Sequence, residues 1–146
     1  MAENSAEKYL IFTVQGRHYA LLSKTVNEVA SLDKAFPLPL VPDYVRGIIN
    51  RYSVPYALVD LSFLLFKIPS SSQKVIVFKE EVDKLALLID DVVDFADIPP
   101  EKLMKTEQEE TGISGSVSAY FEWKANQVFF LDAGELISRI KQDFQQ

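Results

Sequence analysis

The chain of 146 residues has no cysteine, so disulfides, thiol nucleophiles and cysteine-ligated metals are all excluded. That absence also fits a reducing compartment. His18 is the only histidine. With no second imidazole and no thiolate, a metal site built on His and Cys is excluded. Positive charge is scarce: 15 Lys and Arg stand against 21 Asp and Glu, for a net charge of −6. This sign opposes the phosphate neutralisation on which nucleic-acid binding depends, and protein partners are expected instead. Long apolar runs are missing as well. Stretches such as Leu85–Ile89 and Val128–Leu131 fall far short of the roughly 20 residues needed to cross a bilayer. The polar, acidic segment Met1–Lys8 does not read as a secretory signal, so a cytoplasmic protein with no membrane insertion is expected.

What the chain does contain is a copy of itself. A shift of 66 residues, without gaps, places Phe12 on Phe78, Ala20 on Ala86, Leu21 on Leu87, Leu22 on Leu88 and Val26 on Val92. Glu28 meets Asp94 and Val29 meets Phe95 at the same offset. Each copy reads as an apolar strand, a polar turn, a second apolar strand and a bend into a third. The turns fall near Gln15–Gly16–Arg17 and Glu80–Lys84. Val, Ile, Leu, Phe and Tyr dominate the strands, as a pleated, half-buried surface requires.

The copies also end alike. Tyr56–Val59 closes on Asp60, ahead of Leu61, Phe63, Leu64 and Leu65, and Val128–Leu131 closes on Asp132. An aspartate between a strand and an apolar-periodic segment is a helix N-cap, and Glu135 gives Asp132 the pattern of a capping box. Structural capping is preferred over catalysis for both. Leu136, Ile137, Ile140 and Phe144 recur at helical spacing and predict a C-terminal amphipathic helix. Pro37, Pro39 and Pro42 exclude a long regular element over 36–42. Residues 67–73 read as a flexible connection between the copies, and Pro99–Pro100 with Glu107–Glu110 as a second exposed loop. The expected organisation is one domain over 1–146, built from halves at about 8–67 and 74–142, with strand exchange between the halves left open. A chain this long buries roughly 70% of its unfolded surface, whereas neither half would be stable alone. The halves should share an interface, and that interface should form a groove.

No catalytic constellation emerges. His18 lies in a predicted strand beside Tyr19, and no Gly-x-Ser-x-Gly elbow accompanies it. Asp90, Asp91, Asp94 and Asp97 alternate with Val92, Val93, Phe95 and Ala96, which describes a strand with one wet face and not a calcium loop. Gly112–Gly115 lacks the lysine and length of a phosphate loop and reads as a turn or bulge before the strand Val117–Trp123. Tyr120, Phe121 and Trp123 read as strand and core residues. No cofactor and no metal is expected.

The order of these features resembles the CheW family of chemotaxis coupling proteins over nearly the whole chain. The resemblance rests on Tyr9–Val14 with its hairpin to Tyr19–Leu22, on Val26-Asn-Glu-Val29, and on Leu38-Pro39 with Pro42, Tyr44-Val45 and Gly47-Ile48-Ile49-Asn50. Val59-Asp60-Leu61, Leu87-Leu88-Ile89-Asp90 and the strand into Asp132 complete it. It implies a mainly β fold: two small five-stranded Src-homology-like β barrels related by pseudo-twofold symmetry, with short helices and a C-terminal helix. It also implies a non-catalytic adaptor, recruited to membrane-associated arrays, that couples chemoreceptors to a chemotaxis histidine kinase. Receptor hairpin tips would bind in the groove between the lobes, and the kinase's regulatory domain at an exposed lobe end.

One stretch departs from the family pattern. Where the family reads Leu-Arg-Gly after the asparagine, counting back from Asp60 puts Tyr52 at the arginine and Ser53 at the glycine. Arg51 stands one place early, and Pro55 replaces a later proline whose place Ala57 takes. Carried over position by position, the family's partner contacts fall on Val26, Glu28, Gly47, Asn50 and Tyr52 in the first half and on Ala86 and Phe95 in the second. Three other readings compete: an adaptor for another kinase pathway, such as gliding or pilus motility; an enzyme built on His18; and a regulatory domain belonging to a larger kinase or response regulator. The start at Met1 and the capped terminal helix favour a stand-alone chain over the last of these.

Overall fold

Tight turns set up the hairpins. Strands Glu7–Val14 (β1) and Arg17–Leu22 (β2) are joined by Gln15 and Gly16, both at positive φ (52° and 76°). That is the type I′ geometry whose twist matches paired strands. In the computed structural model, which describes residues 6–105 and 116–145, a single 3-10 turn then leads into Val26–Ser31 (β3). Val45–Arg51 (β4), Val54–Asp60 (β5) and helix Leu61–Phe66 (α1) complete the first half. The second half repeats the order: Lys74–Phe78 (β6), Leu85–Ile89 (β7), Asp91–Ile98 (β8), the two-residue strand Met104–Lys105 (β9), Val117–Trp123 (β10), Asn126–Leu131 (β11) and helix Ala133–Phe144 (α2).

The strands form two sheets, and each sheet draws on both halves. One runs β8-β1-β2-β11-β10-β9, the other β3-β6-β7-β5-β4. Every pairing in the five-stranded sheet has its counterpart in the other. Antiparallel β1–β8 answers β6–β3, parallel β2–β11 answers β7–β5, and β10–β11 answers β4–β5. The irregularities repeat too. Register shifts put an extra residue at Asn27 in β3 and at Val93 in β8, 66 residues apart. Others put one at Arg46 in β4 and at Ser118 in β10, 72 apart. Bulges of this kind bend and twist a strand, and here the same bend recurs in both lobes. Two hydrogen-bonded registers in one chain therefore follow a pseudo-twofold relation.

Alternation along the strands explains why the repeat is apolar throughout. Side chains of a strand point to opposite faces in turn. Leu10, Phe12, Ile76, Phe78, Leu21 and Leu87 face one large core shared by both sheets, which also takes Leu61 and Leu64 from α1 and Leu136 and Ile140 from α2. Their neighbours Tyr9, Ile11 and Ala20 fill a smaller core inside the six-stranded sheet, and Val75, Val77, Ala86 and Leu88 fill its twin inside the other. Both faces of β1, β2, β6 and β7 are thus buried, and Leu85–Ile89 is buried at all its positions. The residues that coincide at an offset of 66 coincide because each pair occupies the same layer.

Three expectations are corrected. The fold is mainly β and duplicated, as the resemblance implies, but the sheets are open, and one has six strands. In that sheet Met104 and Lys105 pair with Tyr120 and Ala119; in the other, Phe36 makes only an isolated bridge to Ile48. Second, the connection 67–73 is pinned. Ser70 Nα–H donates to Asp60 (3.0 Å), the Ser62 hydroxyl to the Ile68 carbonyl (2.6 Å) and the Ser72 hydroxyl to the Asp90 carbonyl (3.2 Å). Third, the plane between the lobes is filled by the shared core. Among the described residues, a recess of about 180 Å³ opens beside α2, lined by Ala57, Leu85, Ile137, Ile140 and Phe144. The segments Glu107–Glu110 and Gly112–Gly115 lie outside the described residues.

Candidate functional site

Asp60 and Asp132 end equivalent strands and begin equivalent helices, and both cap them. The Asp60 carboxylate accepts from Phe63 N–H (3.1 Å) and that of Asp132 from Glu135 N–H (3.1 Å). Asp60 does more. It is 1% exposed and its Oδ2 also accepts from Arg46 Nη2 (2.8 Å), Arg46 Nε (3.2 Å) and Ser70 N–H (3.0 Å). Arg46 Nη2 donates in turn to the Ser70 carbonyl (2.7 Å). A buried carboxylate with this many charge-assisted partners is a structural knot, tying β4, β5, α1 and the inter-half connection together.

His18 sits within β2, opposite Thr13 on one side and Val128 on the other. Among the described residues, no group of three or more His, Asp or Glu side chains is gathered closely enough to hold a metal ion. The aspartates in and just before β8 are used singly: Asp90 caps the first hairpin by accepting from Gln15 N–H (2.7 Å), Asp91 pairs with Lys74 (3.7 Å) and Asp97 with Lys8 (3.2 Å). The wet-face reading of that strand describes them.

The carried-over contact positions divide into two groups. Ala86 is 0% exposed inside the five-stranded lobe, so its side chain reaches no partner; the offset that matched it to Ala20 reflects shared burial. Gly47 is also buried and at φ +137°, and a Cβ there would overlap the Phe36 carbonyl. Its role is to let the backbone of Phe36 cross close to β4. Val26 is half-buried against the shared core. Phe95, by contrast, is 51% exposed on edge strand β8. Asn50 is exposed on β4, and Tyr52, 81% exposed, tips the β4–β5 hairpin with Ser53, both at positive φ (54° and 68°).

Glu28 and Arg51 were not linked in the sequence, because 23 residues separate them. The fold brings them together across the two edges of the five-stranded sheet. Arg51 Nη2 donates to Glu28 Oε1 (3.0 Å) and Arg51 Nε to Oε2 (3.1 Å), a bidentate pair with both side chains about three-quarters buried. This hydrogen bonding holds the guanidinium above its ordinary proton affinity. The same guanidinium lies 5.4 Å from the centroid of the Tyr52 ring. Glu28 is therefore spent within the lobe, and Tyr52 is what the pair presents outward. Beside them opens a cleft of about 430 Å³, formed by the β4–β5 turn, the β6–β7 turn and the bulge at Asn27.

The molecule so described is a two-lobed β scaffold whose polar clusters are caps, clamps and surface patches. The comparisons give it a family. Residues 8–141 match the CheW-like domain, so the chain belongs to the CheW-like family. Its fold is similar to the crystal structure of the scaffolding protein TtCheW from Thermoanaerobacter tengcongensis, with a TM-score of 0.77 at 17% identity over 88% of this chain and 86% of that one. At that identity the likeness concerns the fold. No curated protein sequence matches the chain. Among the described residues, no helix is long and apolar enough to cross a membrane.

Proposed function

We propose that the chain is a non-catalytic adaptor that couples chemoreceptors to a chemotaxis-type histidine kinase, working in the cytoplasm beside membrane-associated receptor arrays. The observation that carries this reading is the CheW-like match over 8–141, which spans both lobes. An adaptor needs two rigid, separate patches, so that one partner leaves room for the other. Two open sheets locked on a common core support this: Asn50 and Tyr52 lie exposed at the edge and tip of one lobe, and Phe95 on the edge strand of the other. The tyrosine and phenylalanine suit anchor positions, where a few residues dominate affinity.

Pull-downs with the kinase regulatory domain and with soluble receptor tips from the same cell test this. Binding of both is expected; binding of neither overturns it. A second reading, service to a pilus or gliding pathway, rests on Tyr52 and Ser53, which put an exposed phenol where the family pattern has an arginine. Capture of that pathway's kinase in place of the chemotaxis kinase would favour it.

A further inference from the structure

The cleft beside Tyr52 has a lining that the family's contact positions do not explain. It is lined by Asn27, Arg51, Tyr52, Tyr56, Lys79, Glu80 and Glu81. Arg51 is already neutralised by Glu28. Tyr56 is only 4% exposed, lines the cleft, and its hydroxyl has no hydrogen-bond partner among the described residues. A phenol so placed offers an acceptor to whatever enters. Its ionisation is pushed up by burial first, then by Glu80, Glu28 and Glu81. Glu80 and Glu81 are exposed at the rim; the Lys84 ammonium stands 4.0 Å from Glu80. The volume of about 430 Å³ lies within the range of sites that hold a compact group.

We propose that this cleft receives a basic side chain, arginine or lysine, of a protein partner. The inference rests on the adaptor reading and names the chemistry of one contact within it. The Glu80 and Glu81 carboxylates supply the counter-charge, Tyr56 Oη accepts a hydrogen bond at the floor, and the Tyr52 ring covers the aliphatic stem. Guanidinium fits best, because it offers several fixed donors to a divided set of acceptors and is weakly hydrated. Tyr52 is held for this by the Glu28–Arg51 pair beneath it, which makes Arg51 a positioning residue.

The test uses the full chain and probes of known composition. Nitrogen-15 NMR titration with N-acetyl-arginine amide is compared with the uncharged isostere N-acetyl-citrulline amide, each up to 50 mM. Saturable shifts of the Asn27, Tyr52, Glu80 and Glu81 amides are expected with the arginine probe. Binding should weaken about tenfold with citrulline and about tenfold in the Glu80→Gln/Glu81→Gln variant, and stay unchanged in Glu101→Gln. Equal response to both probes, shifts mapping elsewhere, or no saturable shift would each overturn the proposal. If the arginine probe binds and neither kinase nor receptor does, the adaptor reading fails while the cleft stands. The reverse outcome sinks the cleft alone.

Discussion

The two lobes share a chain trace and differ in what closes them. At the tip of the five-stranded lobe, Arg51 reaches across to Glu28, and the turn that follows carries Tyr52 and Ser53. At the equivalent tip of the six-stranded lobe, Trp123 takes the place of Arg51, Asp94 that of Glu28, and the turn carries Lys124 and Ala125, also at positive φ (47° and 66°). Lys124 folds back over the Trp123 ring at 4.8 Å. One tip is therefore clamped by a largely buried ion pair and bordered by glutamates; the other has an aromatic and a lysine. A duplicated scaffold keeps its core layers alike and lets its tips diverge, because a core position is constrained by packing and a tip position by its partner alone.

Exchanging or removing residues at equivalent positions breaks or sharpens this comparison, and Gly47 is one of the two sites where the effect is large. Its counterpart in the second half is Ala119, which pairs with Lys105 and does not have a positive φ. Gly47→Ala should destabilise the protein by about 3 kcal/mol, since the new methyl meets the Phe36 backbone at φ +137°. Ala119→Gly should cost only about 0.5–1 kcal/mol. Equal costs in urea unfolding would show that the two lobes do not differ there.

The two capping aspartates come next. Asp60→Ala should cost about 3–5 kcal/mol, because it strands Arg46 and the Ser70 amide around a buried gap. Asp132→Ala should cost about 1 kcal/mol, the ordinary loss of an N-cap. Thermal unfolding of the pair reads the difference directly. Smaller still is the clamp: Glu28→Gln should cost about 1 kcal/mol at low salt and less at high salt, the partly exposed pair being screened. Asp94→Asn in the other lobe should be close to neutral. The smallest effect is a gain. Ser53→Gly should stabilise by about 0.5–1 kcal/mol, by relieving a left-handed serine.

Much of the fold was legible because the repeat records burial. Phe12 with Phe78 and Ala20 with Ala86 marked two layers of each lobe, and the polar turns and Asp caps marked where strands stop. The carry-over of family contacts did not fit at Ala86, whose side chain is buried inside the five-stranded lobe. Closure of the sheets was not legible, since it depends on whether a short segment such as 104–105 or Phe36 reaches an edge. Arg46–Asp60 and Arg51–Glu28 escaped for the reason that no local period brings them together; only the β4–β5 hairpin and the wrap of β3 do. The cleft likewise joins two turns and a bulge from distant parts of the chain, and Glu80 and Glu81 read in sequence as ordinary turn residues.

The account stands most directly on bridging. Receptor-tip assemblies are sedimented with the kinase in the presence and absence of this chain, and the kinase in the pellet is measured. The account predicts that kinase sediments with receptor only when the chain is added, and that the Tyr52→Ala variant, though folded, carries less of it down. Kinase that pellets equally without the chain, or stays in the supernatant with it, would contradict it.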